Sequence, residues 1–240
     1  MTPIRERVQD AIPPRIAMRL RAEKNRRALF GLHAPARVLV DMVPQGCVAV
    51  DAGANAGLYA YWIARNAATV HAFEPQPRVF DRLRASAPGN VTCHNVALSD
   101  ARGTAQLHIP ATGNGEASLH ELGRETEVVD VPTRTLDSFN LNGVGFLKID
   151  VEGHEEALLR GAMQTIRDSR PAVFIEIEER HNPGGIARIA DLFASLDYSD
   201  ALYMAEGQFR PLSSFDPDRH QTPIPTDSPR YANNFLFRAS

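Results

Sequence analysis

Four residues in the second half of the chain have side chains that could act on a bound substrate. Asp150, Glu152 and His154 directly follow the apolar run Phe146–Ile149, and Glu176 follows Phe174 and Ile175 in a second apolar run. A histidine titrates near neutral pH, so His154 could take a proton from a hydroxyl group. The carboxylates could orient the acceptor, act as the base, or group around a divalent cation. The alternative interpretation is that all four cap or charge the start of a helix.

A second set of residues predicts a ligand loop between a strand and a helix. Asp51 ends the apolar run Val48–Val50, and Gly53, Asn55 and Gly57 follow before an apolar helical pattern begins at Leu58. Glycines let the backbone pass close to a ligand, and the amides at a helix start can bind a carboxylate or a ribose. A nicotinamide loop has glycine where this chain has Asn55, whose side chain would crowd a diphosphate. Asp51 instead suits a cationic amino acid moiety.

Glu74 closes the next predicted strand, Val70–Phe73, and an acid there can accept hydrogen bonds from both hydroxyls of a ribose. Taken singly, Asp51 could be a turn cap and Glu74 a surface charge. Because the carboxyl ends of adjacent parallel strands share one crevice, the pair and the loop between them favour a nucleoside ligand.

The elements that position these residues alternate between strand and helix. Such alternation predicts an α/β fold with right-handed crossovers and a mainly parallel sheet. The predicted elements are strands at Cys47–Asp51, Val70–Phe73, Val91–Val96, Phe146–Ile149, Ala172–Ile177, from Asp197, and Asn234–Phe237, and helices at Leu58–Arg65, Pro77–Ser86, His154–Arg167 and Ile186–Leu196. Two alternating strands, Ala105–Ile109 and Glu127–Val131, flank a polar loop and predict an insertion near the active face. The loop could close over a substrate or be a plain surface excursion. Pro211–Pro229 is predicted to be a long loop.

Residues 1–42 differ from the rest and form a predicted basic helical arm, followed by one catalytic domain over residues 43–240. Arginines and lysines alternate there with apolar residues such as Ile16 and Leu20, and Pro13-Pro14 limits how far a helix can extend. The arm could contact an anionic membrane peripherally or meet a charged substrate, or it could be an ordinary solvated helix docked on the domain.

Composition places the chain among ordinary globular proteins. Its 240 residues carry 43% hydrophobic and 23% charged residues and a formal net charge of −3, so no overall basic field favours nucleic acid as a partner. The first residues run directly into charges, without the apolar stretch of a signal peptide, and the predicted location is the cytoplasm. Cys47 and Cys93 are expected to be buried, reduced thiols.

With these residues in view, the chain resembles the FkbM-type methyltransferases of the class I superfamily, over about residues 41–181. The matching runs are Val50–Gly57, Phe73–Pro75, Asn95–Asp100, Thr135–Asp137, Leu147–Glu155 and Gly161-Ala162. The resemblance implies S-adenosylmethionine as methyl donor and a Rossmann-like, mostly parallel seven-stranded sheet with helices on both faces and a reversed last strand. It also implies methylation of a hydroxyl on a sugar, glycan or natural-product acceptor.

Carried over position by position, the resemblance also assigns cofactor contacts. Asp51, Gly53, Asn55 and Gly57 would flank the methionine part, Glu74 would hold the ribose with Pro75 shaping its turn, and Asn95, Val96 and Ala97 would border the adenine. Asp150, which ends its strand beside the same crevice, is a further candidate contact for the cofactor. The competing hypothesis is a regulatory module that binds S-adenosylmethionine or a nucleoside without turnover. Both predict saturable cofactor binding, and only the first predicts methyl transfer.

Overall fold

A mixed eight-stranded β-sheet forms the centre of the computed structural model, which describes residues 12–29, 34, 36–110, 117–120 and 126–239. The strands in chain order are β1 (Val48–Ala52), β2 (Thr69–Phe73), β3 (Val91–His94), β4 (Ala97–Leu98), β5 (Gly103–Pro110), β6 (Thr126–Arg134), β7 (Val144–Ile149), β8 (Ala172–Glu176), β9 (Asp200–Ala205), β10 (Gln208–Pro211) and β11 (Asn234–Arg238). The central sheet has the order β3-β2-β1-β7-β8-β11-β9-β10.

The first five strands of that order are parallel, and β11 runs antiparallel to both neighbours, β8 and β9. The expected seven strands with a reversed last strand are therefore confirmed. β10 pairs antiparallel with β9 and adds an eighth strand at the edge, which the sequence analysis did not predict.

Helices cover both faces of this sheet. They are α1 (Pro14–Lys24), α2 (Ala36–Met42), α3 (Leu58–Ile63), α4 (Pro77–Ser86), α5 (Glu155–Arg160), α6 (Met163–Ser169), α7 (Gly185–Ser195) and α8 (Pro217–His220). Side chains alternate along a strand, so Ala49 and Phe146 pack with the apolar residues of α1 to α3, while Val50 and Leu147 pack with those of α5 to α7. Among the described residues, no helix is long and apolar enough to cross a membrane.

The basic arm is represented by α1, which begins at Pro14. Met18 and Ala22 are buried against the domain and join the same apolar cluster as Leu39 and Trp62. The part of the predicted arm before residue 12, and residues 30–33 and 35, lie outside the described residues.

The predicted insertion is a separate three-stranded sheet. β5 pairs antiparallel with β6, and the short β4 pairs parallel with β6 on its other side. Leu107, Ile109 and Val131 bury their side chains with Ala97 of β4, so the small sheet has its own apolar cluster. This attachment ends the predicted strand Val91–Val96 at His94, because the chain leaves the central sheet there.

Three other predicted boundaries were wrong. The helix expected over His154–Arg167 is two helices, α5 and α6. Gly161, between them, packs so closely on Ser99 that a Cβ added to it would lie 2.0 Å from the Ser99 backbone oxygen. Asp137 then starts α6 by accepting hydrogen bonds from the amides of Gln164 and Thr165. The predicted loop Pro211–Pro229 contains a 3₁₀ turn and α8. The strand expected from Asp197 begins at Asp200.

The two cysteines are free, and both are partly rather than fully buried. Partial burial raises the pKa of both thiols, which keeps them protonated and poorly nucleophilic.

Candidate active site

The loop between β1 and α3 packs directly against Asp150, the residue that follows β7. Gly53 has a φ of +76°, and a Cβ added to it would lie 1.7 Å from the Asp150 carbonyl oxygen. Asn55 also has a positive φ, +49°. The glycine is therefore needed both for its backbone conformation and for the close approach of two loops that carry candidate site residues.

Glu74 connects the end of β2 to this loop. Its Oε2 accepts a hydrogen bond from the Asn55 amide at 2.8 Å, and its Oε1 accepts one from the Gln76 amide at 2.9 Å. Burial raises the pKa of Glu74 to about 7, although both amides favour the charged form. Each oxygen has a further lone pair, so the carboxylate can still accept hydrogen bonds from a ligand.

A cleft with an empty volume of about 700 Å³, part of it open to solvent, lies at the carboxyl ends of β1, β2 and β7. Its polar wall contains Asn55, Glu74, Gln76, Asp150, Glu152 and His154, together with Gly53 and Pro75. Its apolar wall contains Ala52, Phe73, Val96, Ala97, Leu98, Leu107, Ala117, Val151 and Leu119. Leu107, Ala117 and Leu119 belong to the insertion, so the insertion forms part of the cleft rather than a remote excursion.

Three predicted cofactor residues do not line this cleft. Asp51 is fully buried below it. Gly57 lies at the start of α3, where an added Cβ would lie 2.8 Å from a methyl of Leu83 in α4. The Asn95 side-chain amide donates to the carbonyls of Glu74 and Pro75 at 2.8 and 2.9 Å and so holds the turn that shapes the wall. Their contacts with a cofactor stay predictions.

Beneath the loops lies a buried charged group that the sequence analysis missed. Lys148 is 3% exposed, and its Nζ lies 3.0 Å from Asp150 Oδ2, 3.5 Å from Asp51 Oδ1 and 4.6 Å from the ring centroid of Tyr59. Burial alone would lower the pKa of Lys148, but Asp150 and Asp51 raise it overall. The available signal was a lysine inside the apolar run Phe146–Ile149, since a lysine is seldom buried without a partner.

The turn from β7 into α5 is strained and tied to the insertion. Glu152 has a φ of +46°, and its carbonyl accepts a hydrogen bond from Ser118 Oγ of the insertion at 2.8 Å. Ser118 is 2% exposed, so this contact is a buried tie between the insertion and the predicted catalytic turn. The Glu152 carboxylate lies 3.9 Å from His181 Nδ1.

His154 faces the cleft at the start of α5 and forms a hydrogen bond with Ser99. The distance from its Nε2 to Ser99 Oγ is 2.9 Å. Burial lowers the pKa of His154 below its usual value, and the neighbouring His120 lowers it further, which favours the neutral ring. A neutral imidazole is the form that can accept a proton.

Glu176 differs from the other three candidate catalytic residues because its side chain does not line the cleft. It stands at the end of β8, and its Oε1 accepts a hydrogen bond from Asn233 Nδ2 at 2.6 Å. The same amide donates to Glu178 at 3.2 Å. Burial, and then the charges of Asp150 and Glu152, raise the pKa of Glu176 well above its usual value. Asn233, which precedes β11, was not predicted because nothing local in the sequence links it to Glu176.

The carboxylates do not form a metal site among the described residues, where no three His, Cys, Asp or Glu side chains are arranged to hold an ion. The residues do fit S-adenosylmethionine. The apolar wall suits an adenine ring, and the Glu74 carboxylate in the same cleft can accept hydrogen bonds from ribose hydroxyls. Asp150 and Glu152 add negative charge to the cleft, which suits a cationic cofactor.

A parallel sheet with a reversed last strand, a glycine-bearing loop after β1 and an acid after β2 together define a class I, Rossmann-like methyltransferase. Residues 51–200 match the methyltransferase FkbM domain. The chain is 30% identical over 167 residues to the hexuronic acid methyltransferase AglP of Haloferax volcanii, covering 68% of this chain and 69% of that protein. The chain belongs to the FkbM methyltransferase family, whose cofactor is S-adenosylmethionine.

Two further relatives agree with this family. Methyltransferase 1 of Beauveria bassiana is 29% identical over 151 residues, covering 49% of this chain and 59% of that protein. The crystal structure of methyltransferase FkbM from Methylobacillus flagellatus KT superposes with a TM-score of 0.53 at 17% identity. That match covers 80% of this chain and 43% of the solved chain, so the present chain spans less than half of that structure's length, and the likeness concerns the fold.

Proposed function

We propose that this enzyme methylates a hydroxyl group of a sugar acid or a similar sugar acceptor, with S-adenosylmethionine as the donor. The observation that carries the proposal is that His154, Asp150 and Glu152 line the same cleft as the predicted ribose ligand, Glu74. The match to a protein named hexuronic acid methyltransferase supports a sugar acid as the acceptor.

The cofactor would lie along the cleft, held by residues from three strand ends. We assign the ribose to Glu74, the adenine to the wall that contains Phe73, Val96 and Ala97, and the methionine end to the loop at Gly53 and Asn55. When bound, the cofactor supplies an electrophilic methyl group on a sulfonium. Lys148 keeps Asp51 and Asp150 in place beneath that end through its two ion pairs.

A sugar hydroxyl is a weak acid, so its attack on a methyl group needs a base. We propose His154 as that base. We assign the Ser99 hydroxyl proton to Asp100 Oδ1, 3.3 Å away, so that Ser99 Oγ accepts its other hydrogen bond from His154 Nε2–H. This tautomer leaves the His154 Nδ1 lone pair to receive the acceptor's proton.

Asp150 and Glu152 would then orient the acceptor's hydroxyl groups, because carboxylates accept hydrogen bonds from sugar hydroxyls. Glu176 stays a candidate for a supporting role. Asn233 holds its side chain, and its raised pKa favours a neutral acid that can donate a hydrogen bond to a carboxylate at the rim. The cytoplasmic location rests on the sequence alone and is part of this proposal.

The test is a methyl-transfer screen on the purified full chain, read by mass shift. Glucuronic acid, galacturonic acid and their oligosaccharides are compared with glucose and galactose, which differ by lacking the carboxylate. We expect a gain of one methyl group on a uronic acid and a much slower reaction with the neutral sugar. Tight cofactor binding with no transfer to any acceptor would favour the non-catalytic module. Faster transfer to the neutral sugars would exclude a sugar acid as the preferred acceptor.

A further inference from the structure

A groove lined by arginines lies at the far end of α3 from the cofactor cleft. The cofactor loop ends at Gly57, where α3 starts, and Arg65 follows closely after α3 ends. With about 1.5 Å of rise per residue, the helix separates the two places by roughly 10 Å. The groove residues are Arg26, Arg27, Arg37, Val40, Trp62 and Arg65.

Positive charge is concentrated around this groove although the whole chain has a net charge of −3. Residues 12–29 contain six arginines and lysines and one acid, Glu23. Glu23 forms an exposed salt bridge with Arg26 at 3.4 Å, a pairing that contributes little in water. The groove can therefore attract an anionic partner.

The floor of the groove is apolar and contains Val40 and Trp62, which is 6% exposed. The Arg65 guanidinium lies 5.8 Å from the Trp62 ring centroid. A phosphate is the type of group that binds several arginines at once.

Next to the groove, α1 exposes two large apolar side chains. Ile16 is 50% exposed and Leu20 is 58% exposed, and they are four positions apart, so they lie on one side of the helix. Met18 and Ala22 face the other way and anchor α1 to the domain. Arg15, Arg19 and Lys24 are interleaved with these residues in the sequence, so α1 offers both apolar side chains and positive charge to an anionic membrane surface.

We propose that α1 and the arginine groove together dock this enzyme on an anionic membrane surface. Ile16 and Leu20 enter the interface, and the groove arginines bind lipid phosphates. The two contributions act together, because stable attachment needs an apolar contact and a basic patch. In this arrangement the cofactor cleft lies away from the docking groove and stays open to its acceptor.

The test measures binding of the full chain to vesicles by co-sedimentation, with phosphatidylcholine alone compared with an equal mixture of phosphatidylcholine and phosphatidylglycerol. We expect binding to the anionic vesicles only, weakened by salt. R26A/R27A should weaken it about 30-fold, and I16D/L20D by at least roughly tenfold. The matched controls are R102A/R167A, two exposed arginines elsewhere, and V128D, since Val128 is 47% exposed on β6.

Several outcomes would overturn the proposal. They are equal binding to both kinds of vesicle, no binding to either, or equal losses in the control variants. Binding of an RNA oligonucleotide with the same arginine dependence, in place of vesicles, would assign the groove to nucleic acid. A dimer in sedimentation velocity that I16D/L20D dissociates would assign the apolar residues to a second copy. Cofactor affinity should be unchanged in every variant, which separates failed docking from failed folding and from the proposed methyl transfer.

Discussion

Lys148 lies directly opposite Asp51 in the register of β7 and β1, and its Nζ is 3.5 Å from Asp51 Oδ1. Both side chains therefore point to the same face of the sheet as Ala49 and Phe146, below the loop that carries Gly53. Lys148 also holds Asp150 at 3.0 Å. The buried Lys148 thus connects the end of β1, at Asp51, with the end of β7, at Asp150.

We predict that K148M lowers the free energy of unfolding by about 3–5 kcal/mol at pH 7, because the fully buried Asp51 and the partly exposed Asp150 lose their cation. Urea unfolding followed by circular dichroism measures this change. K148M/D51N should recover part of the loss, since the neutral amide needs no buried counter-charge. If K148M and wild type unfold at the same urea concentration, the ion pairs contribute nothing to stability.

Gly53 and Gly46 provide a matched pair for testing the close approach of the two loops. Both have φ near +75°, but an added Cβ at Gly46 meets no atom within 4 Å, whereas at Gly53 it meets the Asp150 carbonyl. G46A should cost about 1–2 kcal/mol of stability and leave cofactor affinity unchanged. G53A should cost about 2–5 kcal/mol and weaken cofactor binding, because the loop must move. Calorimetric titration with S-adenosylmethionine checks both variants, and equal affinities would show that the approach is unimportant for binding.

Short-range patterns were sufficient to predict much of this site. The alternation of apolar runs predicted the parallel strands, and the strand-end positions of Asp51 and Glu74 predicted a shared crevice. Glu74 lines it and is joined to the loop by a 2.8 Å hydrogen bond from the Asn55 amide, whereas Asp51 is buried below it. These features depend on neighbours within one strand–helix–strand unit.

Features set by distant parts of the chain were missed. Lys148 is paired with Asp51 across nearly a hundred residues, Ser118 reaches Glu152 from the insertion, and Asn233 reaches Glu176 from the last strand. The break between α5 and α6 also depends on a distant residue, Ser99. No local periodicity encodes such contacts, because they depend on sheet order and register.

For Glu74 we predict that E74A weakens binding of S-adenosylmethionine roughly 10- to 100-fold, the loss of about 1.5–3 kcal/mol from charge-assisted hydrogen bonds. Calorimetric titration measures the change. E206A is the control, because it removes an exposed carboxylate that does not line the cleft, and it should bind as wild type. An unchanged affinity in E74A would show that Glu74 does not bind the ribose.

The pKa of Glu74, raised to about 7, gives this interaction a pH dependence. The ionised carboxylate accepts hydrogen bonds from the ribose, so affinity should rise as the pH increases through about 7 and fall below it. E74Q should lack this dependence. Stability changes in the opposite direction. Since the pKa of Glu74 in the folded state exceeds its unfolded value, wild type should lose stability relative to E74Q as the pH rises from about 4.5 to about 7. The same pH profile of affinity in E74Q would assign the titration to another group.

His154 gives the most direct test of the chemistry. H154Q should lower turnover about 10²- to 10⁴-fold and leave cofactor affinity near normal, because the base acts on the acceptor. S99A should lower turnover less and change its pH profile, since Ser99 holds the tautomer through its 2.9 Å hydrogen bond to Nε2. In wild type, burial lowers the pKa of His154, so turnover should decrease on the acidic side only at pH values below 6.5, where the imidazole becomes protonated. Wild-type turnover in H154Q would transfer the role of base to a carboxylate, and D150N and E152Q would then distinguish Asp150 from Glu152.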